Sequence, residues 1–525
     1  MKLFERRLNA VLLTIYLFLI CFSFCFVFVT DRGLFLLVIS IVLIPVLFVV
    51  SNAVLNRICR LNPIVPRPKT DRQLLISFLT ATTGAFAILM IWFAAFCPGS
   101  FQGDCINQVG QALSGEYDDW HPVWQTILFY TLPLKLTGGK FWSMTFFQML
   151  WFSLVMGYLI RTIYKYAGKW WAAGIWAYIM LNPYTGQMLL YPWKDNAFAM
   201  AGTIAFIMAV EICLSHGKWA DKWWKCVLLG IMMANCTIFR HNAIALTAFM
   251  AIGLFFFMNR IRWVQMLIGF MAFFAMIKGP VYGLLHVQRT PQPVVQAVGL
   301  PMAMIGNVVV ETPERLDDET AEFVYAIASQ EEWEADYELG NFGVMKYYGN
   351  VNLRPIEDAG TSKVFQMAGR CILASPKASF RALFALTDIV YGLDLKDEGY
   401  IGTQIIDNKY GIMYRRNEQL AAILDVYYKL LRLHGLNFIR QFAFCLLVLL
   451  GAVLGRVNLG RVADWKRIML ILGIYAYSFG TMLLLTSADS RFFYIDYLIC
   501  PLAVVTLMAD CVSDDSPSLD SDDGT

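Results

Sequence analysis

The stretch GDCINQVGQALSGEYDDWHP occupies residues 103–122 and lies between two long apolar runs. It carries Asp104 near its start, and Asp118, Asp119 and His121 near its end. A polar segment in this position is predicted to be a loop that lies against one face of a membrane. A carboxylate is costly to keep in such apolar surroundings and usually has a function. Asp104 is therefore the first residue to consider for catalysis.

The composition of the whole chain is typical of a polytopic membrane protein. Its 525 residues are 58% hydrophobic and 15% charged, and the mean hydropathy is +0.55. These values are too apolar for a soluble globular protein. The net charge of +3 comes from Lys and Arg in a few short loops, a pattern of membrane topology and not of nucleic-acid binding. We predict an all-α fold in a cell membrane, with the lipid bilayer as a partner and no nucleic acid.

Twelve apolar runs meet or approach the roughly 17–25 residues that span a bilayer. The first run resembles a signal peptide, but it is long and lacks a cleavage site of small residues, so we expect a retained anchor. The sequence therefore predicts about 12 transmembrane helices. The runs are 8–29, 34–50, 74–96, 141–160, 170–190, 196–214, 226–239, 243–258, 264–285, 438–454, 468–486 and 492–508.

The basic clusters orient these predicted spans. Under the positive-inside rule, alternate loops rich in Lys and Arg face the cytoplasm. Both chain ends then lie in the cytoplasm, and the acidic, Ser-rich segment 510–525 is predicted to be a disordered cytoplasmic tail. The clusters lie within 2–7, 57–72, 161–169, 218–225, 260–262 and 456–467.

The opposite face receives isolated ionisable residues from five separate loops or span ends. Polar loop residues often reflect contact with water alone, but charges within apolar runs are tolerated mainly where they face a protein cavity. Their convergence on one face predicts a site. Besides residues 103–122, the positions are Lys194-Asp195, Arg240-His241-Asn242, Lys278, and Asp489 with Arg491.

The pattern divides the chain into five parts. We predict that 123–136 is an interfacial helix on the outer surface and that Pro376 begins a helix. Most cysteines lie in apolar runs and are expected to be small core residues; Cys97 and Cys105 flank Gly103-Asp104, but their close spacing is only weak evidence for a disulfide. The parts are an N-terminal transmembrane hairpin (1–50), a transmembrane core (51–285) with the catalytic loop 97–140, an extracytoplasmic α-rich domain (286–437), C-terminal transmembrane helices (438–509) and the tail (510–525).

This layout resembles the GT-C superfamily of membrane glycosyltransferases, which includes protein O-mannosyltransferases and aminoarabinose transferases. The resemblance rests on Gly103-Asp104, on His121-Pro122 before the interfacial helix, and on the later motifs Lys194-Asp195 and Arg240-His241-Asn242. It implies a GT-C-like fold and a sugar donor linked to polyprenyl phosphate. It also implies a catalytic carboxylate in the first large extracytoplasmic loop. Here an extra hairpin, 8–50, precedes that loop.

Transfer of such a sugar requires a base for the acceptor and cations for the phosphate leaving group. Asp104 is the expected base, with Asp118 and Asp119 as alternatives. His121 is expected to bind phosphate, to orient Asp104 or to cap a helix. A divalent metal on these carboxylates stays open, because no complete ligand set is visible. The remaining residues expected to bind substrate are Lys194, Asp195, Arg240, His241, Asn242 and Arg491.

Two other functions are compatible with the same layout. A polytopic transporter or flippase also has about twelve spans, but such folds usually divide into matching halves. This chain places nine predicted spans before its large loop and three after it. A surface-polysaccharide polymerase or ligase would use the same class of lipid carrier and an extracytoplasmic acceptor. The expected function is transfer of a sugar to a glycan, lipid or protein on the outer face.

Overall fold

A computed structural model describes residues 2–28, 33–291, 293–393, 403–431, 441–459 and 462–509. The structure is about 79% helical. Two short strands within these ranges, β1 (Phe96–Cys97) and β2 (Arg415–Arg416), pair antiparallel. The all-α prediction is therefore confirmed. The predicted tail 510–525 lies outside the described residues.

Most of the helices are rich in apolar residues. A helix satisfies its backbone hydrogen bonds within its own segment, as a bilayer requires. The first helices are α1 (Lys2–Phe28), α2 (Gly33–Cys59), α3 (Asp71–Ala95), α4 (Gly103–Ser114), α5 (Val123–Thr126), α6 (Leu132–Leu136), α7 (Trp142–Ala167), α8 (Lys169–Met180), α9 (Pro183–Leu190), α10 (Lys194–Leu214), α11 (Trp223–Phe239), α12 (Ile244–Phe255), α13 (Arg260–Met276) and α14 (Tyr282–Leu284). The later helices are α15 (Val294–Ala297), α16 (Gly299–Glu311), α17 (Asp318–Ile327), α18 (Gln330–Asp336), α19 (Phe342–Tyr348), α20 (Arg354–Ala374), α21 (Pro376–Tyr391), α22 (Glu418–Leu431), α23 (Phe442–Val457), α24 (Val462–Met482) and α25 (Tyr494–Met508). Two π-helical turns, Ile127–Thr131 and Ile277–Val281, follow α5 and α13, and short 3₁₀ turns cover Lys218–Ala220, His241–Ala243, Pro313–Arg315 and Ser490–Phe493.

Seven helical segments in the described ranges are long and apolar enough to cross a membrane. This supports a multi-span membrane protein, while the number twelve stays a prediction. Four further apolar helices are shorter, namely Trp223–Phe239, His241–Phe255, Gly299–Glu311 and Phe442–Val457. The seven long segments are Arg6–Val27, Val42–Cys59, Asp71–Ala95, Trp142–Ala167, Lys194–Leu214, Arg260–Leu284 and Ser490–Met508.

The predicted loop 103–122 is helical over its first half, so the loop prediction is wrong there. In α4, Cys105, Gln108 and Val109 are buried on one face, which is the spacing of an amphipathic helix. Gly115 ends the helix with φ of 76°, a left-handed conformation that glycine adopts without steric cost. Burial of this face outweighs the polar character of the segment.

The predicted span 170–190 is broken into α8 and α9. The side chain of Asn182 accepts a hydrogen bond from Tyr184 N, and Pro183 stands in the first turn of α9. Asn followed by Pro is a helix-start signal, because Pro lacks the N–H that a continuing helix would need. All of α9 is buried, so this short helix is enclosed by its neighbours.

Segment 123–136 is helical as predicted, and Pro133 does not interrupt it. The π-helical turn Ile127–Thr131 leads into α6, where Pro133 stands in the first turn and its missing N–H leaves no gap in a regular helix. Its interfacial position stays a prediction. Pro376 begins α21, which confirms that prediction.

Cys97 and Cys105 are both free thiols, so the disulfide that their spacing suggested only weakly is not formed. Cys97 lies in β1, where its partner is Arg415. Cys105 is fully buried in α4. The two residues thus belong to different elements on either side of the turn that joins them.

The region 286–437 packs against the apolar helices through α21. This helix contacts α16 and α20 within the region, and also contacts α1 and α23. One continuous hydrophobic core includes buried residues from both parts. The assignment of 286–437 to the extracytoplasmic side stays a prediction.

Helices α11 and α13 approach closely through glycine. A Cβ at Gly230 would overlap the Met266 carbonyl oxygen, and a Cβ at Gly269 would lie 2.7 Å from the Val227 carbonyl oxygen. Small residues allow such backbone contact between helices in a membrane. This contact fixes the two helices that lead to Arg240 and Lys278.

Candidate functional site

Asp104 lies in the first turn of α4, close to strand β1. The backbone before α4 is held by a later segment, since Phe101 N donates to the Gln404 carbonyl at 2.9 Å and Ile406 N donates to the Phe101 carbonyl at 3.1 Å. The unpaired N–H groups of a first helical turn favour a carboxylate at this position. The fold thus provides both a fixed position and a favourable local field for Asp104.

Asp104 belongs to an ion-pair group with Arg491 and Asp489. Arg491 Nη1 lies 3.3 Å from Asp104 Oδ2, and Arg491 Nε lies 2.6 Å from Asp489 Oδ2. Burial raises the pKa of Asp104, but the positive charges of Arg491 and Lys194 outweigh burial and hold that pKa below its usual value. The carboxylate is therefore ionised at neutral pH, and 39% of the side chain is exposed. Asp104 is in the form that accepts a proton.

Asp195 holds two arginines from the start of α10. One carboxylate oxygen pairs with Arg240 Nη1, and the other lies 3.9 Å from Arg491 Nε. The Asp195 side chain is only 1% exposed. A carboxylate so enclosed orients the two guanidinium groups, and leaves little surface for the substrate contact predicted from sequence.

Arg240, His241 and Asn242 form the turn between α11 and α12. Arg240 Nε donates to Asn242 Oδ1 at 3.2 Å, and Asn242 Nδ2 donates to Thr481 Oγ1 at 2.6 Å. The side chain of Asn242 thus connects Arg240 to α24. Arg240 Nη1 is bound to Asp195, so the guanidinium group is fixed from two sides. Among the described residues, its Nη2 group has no hydrogen-bond partner.

Aromatic rings support the same two arginines. The Arg240 guanidinium carbon lies 4.1 Å from the centre of the Phe492 ring, and that of Arg491 lies 5.1 Å from it. Arg491 also lies 5.1 Å from the Trp193 ring, which stacks on Tyr191 at 4.1 Å. Rings at these distances stabilise cations that have lost part of their water.

A cavity of about 260 Å³ adjoins this arrangement. Lys194 and Lys278 both line it, and neither has a carboxylate within ion-pair distance in the described part of the chain. Arg240 adds a third cation to the wall. The lining residues are Asp119, Trp120, Pro122, Lys194, Ile238, Phe239, Arg240, His241, Asn242, Lys278, Thr481, Leu484, Leu485 and Phe492.

His121 is buried beside these charges, with 2% of its surface exposed. Burial and the positive charge of Lys194 lower the pKa of His121 to about 4, so the ring is neutral at neutral pH. Its Nδ1 atom has no hydrogen-bond partner within the described residues. The side chain can therefore orient a group by hydrogen bonding, but it supplies no positive charge for phosphate.

The three aspartates considered for a divalent metal do not gather around one point. Asp118 Oδ1 accepts from Trp120 N at 3.0 Å, and Asp119 Oδ1 accepts from Thr290 N at 2.7 Å. Both thus fix the local turn and the segment near residue 290. Within the described ranges, no group of three or more His, Cys, Asp or Glu residues has an arrangement that could hold a metal.

The structure brings the predicted residues Asp104, Asp195, Arg240 and Arg491 into one ion-pair network, with Lys194 and His121 next to it. Lys194, Arg240, His241 and Asn242 line the cavity. Sequence reasoning missed the aromatic residues Trp193 and Phe492 as site residues. Each is adjacent to a charged residue in an apolar run, and that adjacency was the available signal.

No protein family, curated protein sequence or solved structure matches this chain.

Proposed function

We propose that this chain is an integral membrane glycosyltransferase of the GT-C kind. It transfers a sugar from a polyprenyl-phosphate donor to an extracytoplasmic glycan, lipid or protein. The observation that carries the proposal is a cavity lined by Lys194, which has no ion-pair partner among the described residues, and by the fixed cation Arg240, next to the ionised carboxylate Asp104. A base and an anion site side by side are what this transfer requires.

The cations of the cavity support a phosphate ligand. An ammonium group taken out of water without a counter-charge is costly, so the ligand of this cavity is expected to supply one. Arg240 is held so that Nη2 can donate to a phosphate oxygen, and Lys194 adds a point charge. The apolar wall residues Ile238 and Leu484 suit the first carbons of a lipid chain.

In the proposed reaction, Asp104 accepts the proton of an acceptor hydroxyl or amine. The acceptor atom then bonds to the anomeric carbon of the sugar, and the bond from that carbon to the phosphate oxygen breaks. The electron pair of the broken bond stays on the phosphate, where Arg240 and Lys194 stabilise the added negative charge. The products are the glycosylated acceptor and polyprenyl phosphate, and the proton passes from Asp104 to solvent.

The proposal includes a topology. Twelve spans with both ends in the cytoplasm would place the basic clusters inside and the site on the extracytoplasmic face of a cell membrane. Region 286–437 would then lie on the same side as the site. Strand β2 and the Phe101–Gln404 hydrogen bond support proximity between Asp104 and the later segment around residue 404.

The test is turnover of a polyprenyl-phosphate sugar by the full chain and by Asp104→Asn. We expect the variant to bind polyprenyl phosphate but to lose about 10²–10⁴ in rate, the usual contribution of a general base. Glu116→Gln is the matched control, because Glu116 is an exposed carboxylate that follows α4. If Asp104→Asn keeps near-normal turnover, Asp118→Asn and Asp119→Asn are tested next. Loss of turnover in one of them would identify that aspartate as the base. Near-normal turnover in all three variants would refute the proposed enzymatic activity.

A further inference from the structure

Lys278 lies in a helical segment whose neighbouring positions include several exposed apolar residues. Its neighbours Met276 and Leu284 are exposed apolar residues, whereas Lys278 is partly buried and lines the cavity. The π-helical turn Ile277–Val281 contains Pro280, which lacks an N–H and so breaks the regular hydrogen bonding. This turn presents the lysine to the cavity.

Lys278 lacks a counter-charge within the described residues. Its ammonium group lies 3.5 Å from Tyr282 Oη and 4.7 Å from the centre of that ring. No carboxylate of the described chain lies within ion-pair distance, although Asp119 lines the same cavity. The ring stabilises the ammonium group in part, but a neutral phenol supplies no counter-charge for this partly buried cation. The geometry thus leaves this cation available to an anion.

The cavity wall next to Lys278 is apolar. Leu484 and Leu485 follow the end of α24 and line the cavity with Lys278. Leu483 and Leu484 are also largely exposed on the outer surface of the helices. A ligand that carries both an anionic group and a hydrocarbon chain matches this combination of one cation and exposed leucines.

We propose that Lys278 binds the phosphate of a lipid-linked ligand at a lateral entrance, between the π-helical turn and the end of α24. The inference rests on the proposed function, because it takes the ligand to be a polyprenyl phosphate. The phosphate first meets Lys278, and then reaches Arg240 and Lys194 deeper in the site. His241 lines the same cavity, and burial together with the positive charge of Lys278 lowers its pKa.

Binding of undecaprenyl phosphate to the full-length protein in nanodiscs tests this proposal. Lys278→Met keeps the apolar stem of the side chain and removes the charge, and should weaken binding about tenfold or more. Lys278→Arg restores a cation and should remain within about threefold of the unaltered protein. Lys135→Met is the control, because Lys135 is an exposed lysine on α6 outside the cavity. Undecaprenol, which lacks the phosphate, should bind all variants equally.

The outcomes separate the two proposals. If Lys278→Met binds undecaprenyl phosphate as the unaltered protein does, while Arg240→Ala loses binding, the role of Lys278 is refuted and the proposed function stands. If the unaltered protein does not distinguish undecaprenyl phosphate from undecaprenol, both proposals fail. If inorganic phosphate alone binds as tightly as the lipid, the lateral entrance is refuted. Equal losses in Lys278→Met and Lys278→Arg would show a structural role for the lysine.

Discussion

Replacing Asp195 by Asn tests the organisation of the site without assuming its chemistry. Asp195 is 1% exposed and shares its two oxygens between Arg240 and Arg491. Asn keeps the shape of the side chain and removes its charge. Two partly buried guanidinium groups would then lose a common counter-charge. We expect a loss of stability and a change in the orientation of both arginines.

The expected magnitude follows from burial and distance. Two opposite charges about 4 Å apart attract by about 4 kcal/mol at an effective dielectric constant near 20. Removing one partner of a buried pair typically costs about 3–5 kcal/mol. Arg240 is 11% exposed, so solvent screens this pair only weakly. Because the amide oxygen of Asn still accepts a hydrogen bond from Arg240, we expect the lower end, about 3 kcal/mol in the free energy of unfolding.

Reversible unfolding in mixed micelles would measure this loss, together with Arg240→Gln and the double variant. The double-mutant cycle should give a coupling energy of about 2 kcal/mol. Asp221→Asn is the matched control, because Asp221 pairs with Lys225 while 52% exposed and should cost at most about 1 kcal/mol. Additivity of the two site variants within about 0.5 kcal/mol would refute the reasoning.

Arg240→Lys should weaken donor binding about tenfold, because the ammonium group of Lys cannot contact Asp195, Asn242 and a phosphate together. The tenfold figure corresponds to the loss of one charge-assisted hydrogen bond, about 1.5 kcal/mol. Binding equal to that of the unaltered protein, measured beside Arg240→Ala, would contradict this. Since Arg491 and Lys194 hold the pKa of Asp104 low, kcat/KM should stay level as pH falls through the usual carboxylate range and drop only below it. In Arg491→Gln that drop should move to higher pH, and an unmoved profile would exclude Asp104 as the base. In a topology assay, Arg67→Cys should react with an impermeant thiol reagent only from the cytoplasm and Glu334→Cys only from outside; reaction of both from one side would refute the orientation.

The convergence of the ionisable residues was predictable from the sequence. Lys194, Arg240 and Arg491 each stand in or beside apolar runs, where an isolated charge is costly. Partners within the protein are the usual way to reduce that cost. In the structure, Asp104, Asp195 and the two arginines share one ion-pair network.

The individual pairings were not predictable. Arg240 pairs with a residue 45 positions away, and Arg491 bonds to one 387 positions away. Such pairs depend on how the helices pack, and helix packing depends on details such as the backbone contact at Gly230. The sequence alone presents Asp195 as a ligand contact, because burial of its side chain arises only in the assembled bundle.

Local structure was predictable where a residue type has one dominant effect. Pro376 carries a helix-start signal that predicted α21. Asn182-Pro183 carries the same kind of signal, which the single predicted span 170–190 overlooked. In contrast, α4 contains Gly103 and Gly110 and several polar residues, which together favour a loop. Its helical form depends on burial of Cys105 and its neighbours against other elements, and tertiary contacts of this kind outweigh helix propensity.

The charges of the site are divided into two groups, and this division has a chemical consequence. Asp104 and Asp489 share Arg491, which leaves that group with an excess of negative charge. The cavity has an excess of positive charge, because its cations Lys194, Arg240 and Lys278 outnumber the nearby carboxylates Asp195 and Asp119. Phe492 lies against an arginine of each group, with the guanidinium carbons of Arg240 and Arg491 at 4.1 and 5.1 Å from its ring centre. Arg491 and Lys194 keep Asp104 ionised on one side, and the excess of positive charge favours an anionic leaving group on the other, before any substrate is bound.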